Sequence, residues 1–87
     1  MASIQVHEFE TDLRLVCRFM DHEFELTRDP RDDYSFGNWY MHVKDDEGAI
    51  ICDGWIDDSN GYTARTAMIE ACDGAMLDHP TSWPDGI

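Results

Sequence analysis

The feature that most constrains this chain is the alternation in LRLVCRFM, residues 13–20, which resumes in EFELTR, residues 23–28. Leu13, Leu15, Cys17 and Phe19 alternate with Arg14, Val16, Arg18 and Met20, the period of two of a strand with one buried face. Phe24 and Leu26 continue the pattern. A turn at Asp21 and His22 sets Met20 opposite Glu23, Phe19 opposite Phe24, Arg18 opposite Glu25, Cys17 opposite Leu26 and Arg14 opposite Asp29. In that register apolar residues face one another and charges face their opposites, which predicts a hairpin.

The segment RDPRDDYSFGN, with Pro30 and Gly37, reads as a connecting loop. WYMHVK and AIICDGWI form a second hairpin around DDEG. Pairing Lys44 with Ala49 gathers Trp39, Met41, Val43, Ile50 and Cys52 on a core face, with Tyr40, His42, Ile51 and Asp53 on the other. Ile56 continues the apolar face, and Asp57 to Gly61 turn the chain towards Thr63. IQVHEFE, near the N-terminus, supplies a candidate edge strand. From Thr63 the period changes: Ala64, Ala67, Met68, Ala71, Cys72 and Ala75 recur at intervals of three and four, the stripe of an amphipathic helix. Thr63 is placed to cap it. Gly74 weakens its last turn, HPTSWPDGI ends it, and Trp83 is expected to fold back over the core. The expected fold is α+β, an antiparallel sheet of four to five strands packed against one C-terminal helix, in a single domain spanning residues 1–87.

Nineteen acidic residues against six Lys and Arg leave a formal net charge of −13. That charge repels nucleic acid and anionic membranes and attracts basic surfaces, so direct nucleic-acid binding is not expected. The chain is 43% hydrophobic, which favours a folded domain with an acidic coat over a disordered tail. Its start shows no basic region leading into an apolar run, and no apolar stretch reaches membrane-spanning length. Cys17, Cys52 and Cys72, odd in number and widely spaced, fit reduced buried thiols and a cytoplasmic location.

Each motif that could carry chemistry has a plainer reading. DGWIDDSNG, residues 53–61, has the flavour of a calcium loop, but counting from Asp57 puts Gly61 fifth and Met68 twelfth, where Gly at six and Glu at twelve are needed. Asp57 and Asp58 are adjacent turn acids without an evident cleft to separate their pKa values. The Cys and His residues are scattered, with no CxxC or HxxxH to suggest zinc. Phosphate-loop, dinucleotide and nucleophile-elbow signatures are absent. No catalytic residue, cofactor or metal is therefore expected.

The charge itself remains. Alternate residues of a strand lie about 6.8 Å apart on one face, similar to successive phosphates of a nucleic-acid strand. Glu23 and Glu25, or Glu8 and Glu10, are thus spaced to meet a basic channel as phosphates do, with the same release of counterions. The plainer reading is a coat that serves solubility alone.

In its size, acidity and hairpins-then-helix layout the chain resembles small proteins of bacteriophages and mobile elements, including anti-CRISPR families and other DNA-mimicking inhibitors. YSFGNWYMHVKDDEGAIICDGWIDDS, leading into TARTAMIEACDGAMLDHP, is also similar to small phage and proteobacterial proteins with a W…DGW-DDS…GAML pattern. The resemblance implies an inhibitor that acts by occupancy in the host cytoplasm, and it carries no site residue with it. The expected contact residues are Glu23, Glu25, Asp29, Asp32, Asp33, Asp45, Asp46, Glu47, Asp57 and Asp58, anchored by exposed aromatics such as Tyr34, Tyr40 or Trp55. The expected partner is the basic nucleic-acid site of a host protein or ribonucleoprotein complex, met by a monomer or homodimer. The rival expectation is a non-enzymatic assembly module that binds a basic protein or itself through a sheet edge. A small metal-dependent enzyme is a third.

Overall fold

A computed structural model describes residues 3–11, 13–29, 38–56 and 63–87. It contains five strands, β1 (Gln5–Glu10), β2 (Arg14–Phe19), β3 (His22–Arg28), β4 (Trp39–Lys44) and β5 (Ile50–Trp55), then one helix, α1 (Ala64–Gly74). The strands form an antiparallel sheet in the order β1-β2-β3-β4-β5, each beside its sequence neighbour. The α+β fold expected from the alternation is the one observed, with the N-terminal segment present as the fifth strand. The expected loop residues 30–37 and turn residues 57–61 lie outside the described residues.

The alternation separates the two faces as expected. Leu15, Cys17, Phe19, Phe24, Leu26, Trp39 and Val43 point to one side and are buried, joined by Ala64, Ala67, Met68, Ala71 and Cys72 of α1. Small helix residues bring α1 close to the sheet. At Gly74 an added Cβ would sit 3.0 Å from Cys52 Sγ and 3.2 Å from Met41 Cε, so a larger residue there requires those two side chains to give way by a few tenths of an ångström. Thr63 caps the helix, its hydroxyl accepting from the Thr66 amide at 3.4 Å. Trp83 packs against the core, and the Arg65 guanidinium lies 4.9 Å from its ring centroid.

Both hairpin registers differ from the sequence expectation. In the first, Met20 and Asp21 form the turn, with φ of 50° and 61°, and Phe19 pairs with His22. Two successive positive φ values are the pattern of a type I′ turn, whose twist matches that of the flanking strands. The pairing slides by two residues, so the faces are kept while the partners change: Arg18 meets Glu23 and Arg14 meets Thr27, in place of Glu25 and Asp29.

In the second hairpin the loop is one residue shorter than expected. Asp45 N donates to Ala49 O at 2.9 Å, Gly48 N donates to Asp45 O at 3.1 Å, and Gly48 has φ of 86°. This is a three-residue loop closed by a left-handed glycine. It pairs Lys44 with Ile50, and cross-strand partners share a face, so Ile50 goes with Lys44 to the solvent side. The expected core position of Ile50 is therefore corrected: it is 55% exposed. An irregularity at Ile51 then resets the register, so that Cys52 pairs with Val43 and Asp53 with His42.

Candidate partner-binding face

The side of the sheet away from α1 carries the charged members of each alternation. On β2, Arg14 Nε bonds Glu8 Oε2 at 2.6 Å and its Nη1 lies 3.7 Å from Glu25. The Glu8 bond, opposed by partial desolvation and helped by the charges of Glu8, Glu25 and Glu10, raises the Arg14 pKa further. Arg18 donates to Glu23 at 2.9 Å and lies 3.8 Å from Asp21, while the His7 ring is 3.6 Å from Glu23. The spacing of Glu23 and Glu25 predicts a row of phosphate-like charges. In the structure each has an arginine of β2 beside it: the register brings Arg18 directly opposite Glu23, and Arg14 reaches Glu25, which itself faces Val16, from the diagonal. Exposed pairs of this kind contribute only about 0 to 1 kcal/mol each to stability, but they locally offset the charge that a basic partner would meet.

The other expected contact residues fall into three groups. Asp29 is exposed at the end of β3. Asp45 is engaged in the β4–β5 turn, where its Oδ1 accepts from the amides of Glu47 and Ala49, each at 2.9 Å. Asp46 and Glu47 are exposed at the tip of that turn and enter no ion pair among the described residues. Asp32, Asp33, Asp57 and Asp58, with Tyr34, lie outside the described residues. Antiparallel order puts the Met20–Asp21 and Asp45–Gly48 turns at the same end of the sheet, so Asp21, Asp46 and Glu47 gather there while Asp29 is at the opposite end.

From this acidic end a strip runs down the outer face of β4 and β5. Ile50 pairs with Lys44, Asp53 with His42, and Trp55 with Tyr40. The Tyr40 and Trp55 rings meet edge to face, centroids 4.8 Å apart and planes at 79°, and Tyr40 also packs edge-on against His42 at 5.2 Å. The Tyr40 hydroxyl donates to Asp53 Oδ2 at 3.2 Å, and His42 Nε2 is 3.9 Å from the same oxygen. Partial desolvation, then the Asp53 bond and its charge, raise the Tyr40 pKa. An aromatic pair beside a carboxylate presents the two things a guanidinium or ammonium group interacts with, a π face and a counter-charge. The expected anchors Tyr40 and Trp55 are thus brought together. Asp53 is not among the contacts expected from the sequence, and the signal for it is its place beside Tyr40 on the outer face.

A shallow depression of about 170 Å³ on this side is lined by Val16, Glu23, Phe24, Glu25, His42 and Lys44. That is below the several hundred Å³ of usual small-molecule sites. Among the described residues, no group of three or more His, Cys, Asp or Glu is close enough to hold a metal ion, and no helix is long and apolar enough to cross a membrane. Comparison with protein-family models, with curated proteins and with solved structures finds no match to this chain.

Proposed function

We propose that this protein is an inhibitor that acts by occupancy: its acidic surface seats in the Lys- and Arg-rich nucleic-acid site of a host defence complex and blocks DNA or guide engagement. The supporting observation is a pair of acids with no ion-pair partner among the described residues, Asp46 and Glu47, on a turn that leads straight into the Asp53, Tyr40 and Trp55 strip. Charge would steer the encounter, and the aromatic pair would supply the desolvated anchor that holds it. The resemblance to anti-CRISPR and DNA-mimicking proteins supplies the class of target. Glu23 and Glu25 take a smaller part in this reading than the sequence suggests, because Arg14 and Arg18 already answer them.

The test is capture by the tagged chain of a nucleic-acid-binding defence complex from a bacterial lysate, followed by competition with that complex's own DNA or guide. The expected outcome is mutual exclusion, with affinity falling at least about tenfold as salt rises from about 50 to about 200 mM. Asp46→Lys with Glu47→Lys is expected to weaken binding by about tenfold again. Binding that ignores both salt and charge reversal would falsify the proposal. A second reading, an assembly module, is favoured by one observation: Ile50, Ile51 and Trp55 are exposed on the edge strand β5. It predicts self-association that persists at high salt.

A further inference from the structure

The two edges of the sheet differ in a way that charge alone does not explain. β1 shows solvent Gln5, His7, Glu8 and Glu10, with Val6 its exposed large apolar residue, and its pairing to β2 is interrupted between Val6 and Glu8. Polar side chains and a bulge are the ordinary protection of an edge. β5 carries the opposite pattern, with Ile50 55%, Ile51 46% and Trp55 47% exposed in one six-residue strand. Among the described residues, no strand pairs with the side of β5 away from β4. Apolar side chains along such an edge suit an added strand, whose main-chain bonds give affinity and whose alternate side chains give specificity.

We propose that β5 receives an extended segment of the protein partner as a sixth strand, and that this segment alternates Lys or Arg with apolar residues. The inference rests on the basic-partner reading above. Charge selects the occupant. Asp53 lies midway along β5 on the outer face, and Asp45, Asp46 and Glu47 form the turn before it. Basic side chains of an added strand would share the face of Asp53, Tyr40 and Trp55, while the intervening apolar ones would lie on the face of the half-buried Cys52. A second copy fits poorly, because joining β5 to itself brings together two chains of net charge −13 with both Asp53 carboxylates on one continuous face. The interruption at Ile51 leaves Cys52 to Trp55 as the regular part of the edge, long enough for a short segment.

The probe is a blocked decapeptide of alternating Arg and Val, with an alternating Glu and Val peptide as control, read by amide hydrogen exchange of the full chain. The expected result is that the Arg peptide slows exchange in Ile50–Trp55 by at least about tenfold while Gln5–Glu10 is unchanged, and that the Glu peptide does nothing. Ile51→Lys is expected to weaken the Arg peptide about tenfold, equivalent to about 1.4 kcal/mol, and Val6→Lys on the opposite edge to leave it unaltered. Peptide binding with no slowing in β5, or no peptide binding at all, overturns the inference; the occupancy proposal then still stands or falls on the salt and charge-reversal test. Slowed exchange in β5 without peptide, with a doubled mass in solution, overturns it in favour of a second copy.

Discussion

Cys17 has lost all exposure to solvent, its Sγ lying 3.8 Å from Met68 Sδ. Burial, with smaller contributions from Cys72 and Glu23, pushes its pKa up to about 12, and burial followed by the Asp73 charge takes Cys72 to about 11. Cys52 is only partly covered, and burial and then Asp53 raise it by less. These are core thiols kept in their unreactive form. An alkylating reagent at about pH 8 is expected to modify Cys52 first, and to reach Cys17 and Cys72 only as fast as the protein unfolds; mass spectrometry of partly labelled protein reads the order. The same displacement has a sign in stability. Unfolded cysteines ionise near 9.0 while Cys17 stays protonated to about 12, so above pH 9 the unfolded chain binds fewer protons than the folded one. This contribution is intact below that pH and is lost as pH rises through the folded value. Urea midpoints are expected to fall between about pH 9 and about pH 12, less steeply in Cys17→Ala, and an equal slope in the two proteins would contradict this linkage.

At the scale of elements, the sequence periods reveal the strands, the helix and the inward faces, because burial imposes a period of two or of three to four directly on residue type. Register is less legible, because it depends on turns whose residues carry weak signals. Met20 takes a left-handed conformation that its side chain disfavours, and nothing in its identity marks it as a turn residue. The helix end behaves in the same way. The sequence has Gly74 weaken the last turn and HPTSWPDGI end the helix, yet the chain closes earlier, at a left-handed Met76 with φ of 60°, by Met76 N to Asp73 O at 3.1 Å and Leu77 N to Cys72 O at 2.9 Å. Those two bonds are a Schellman motif, which ordinarily prefers glycine at the position Met76 holds. Met76 is 92% exposed, so its side chain offers little packing in return. Met76→Gly is expected to stabilise the protein by about 1 kcal/mol, and Met76→Val to destabilise it by a similar amount, in chemical denaturation. If Gly is neutral or worse, the left-handed closure is not a source of strain. The candidate face is legible only in part for the same reason as the helix end: Tyr40, Trp55 and Asp53 are visible as outward residues, and the expected register already sets Asp53 beside Tyr40, but the pairing of Tyr40 with Trp55 depends on the corrected register.

At the scale of the molecule, the −13 charge acts in two ways that salt separates. Among the described residues, ion pairs cluster on β1 to β3, at 2.6 Å for Arg14 with Glu8 and 2.9 Å for Arg18 with Glu23, whereas Asp46 and Glu47 have no basic neighbour in contact. The screening length is about 10 Å at 0.1 M salt. The radius of gyration is 12.1 Å, so repulsion between acids on opposite sides is largely screened at that salt, while close pairs a few ångströms apart are screened less. Exposed pairs are individually weak, and the excess of acids is large, so relief of repulsion should win. Thermal stability is therefore expected to rise from about 10 to about 150 mM sodium chloride, by a few degrees, with most of the gain reached by about 100 mM. Affinity for a basic partner should fall over the same range, because salt removes the attraction that the unpaired acids provide. The two trends have opposite sign and a common cause. Melting curves and binding isotherms on one preparation read both. A melting temperature that falls with salt would mean that the Arg14 and Arg18 pairs outweigh the net charge. In that case the acids of this fold would be largely compensated, and the Asp46 and Glu47 turn would lose its claim to lead the encounter.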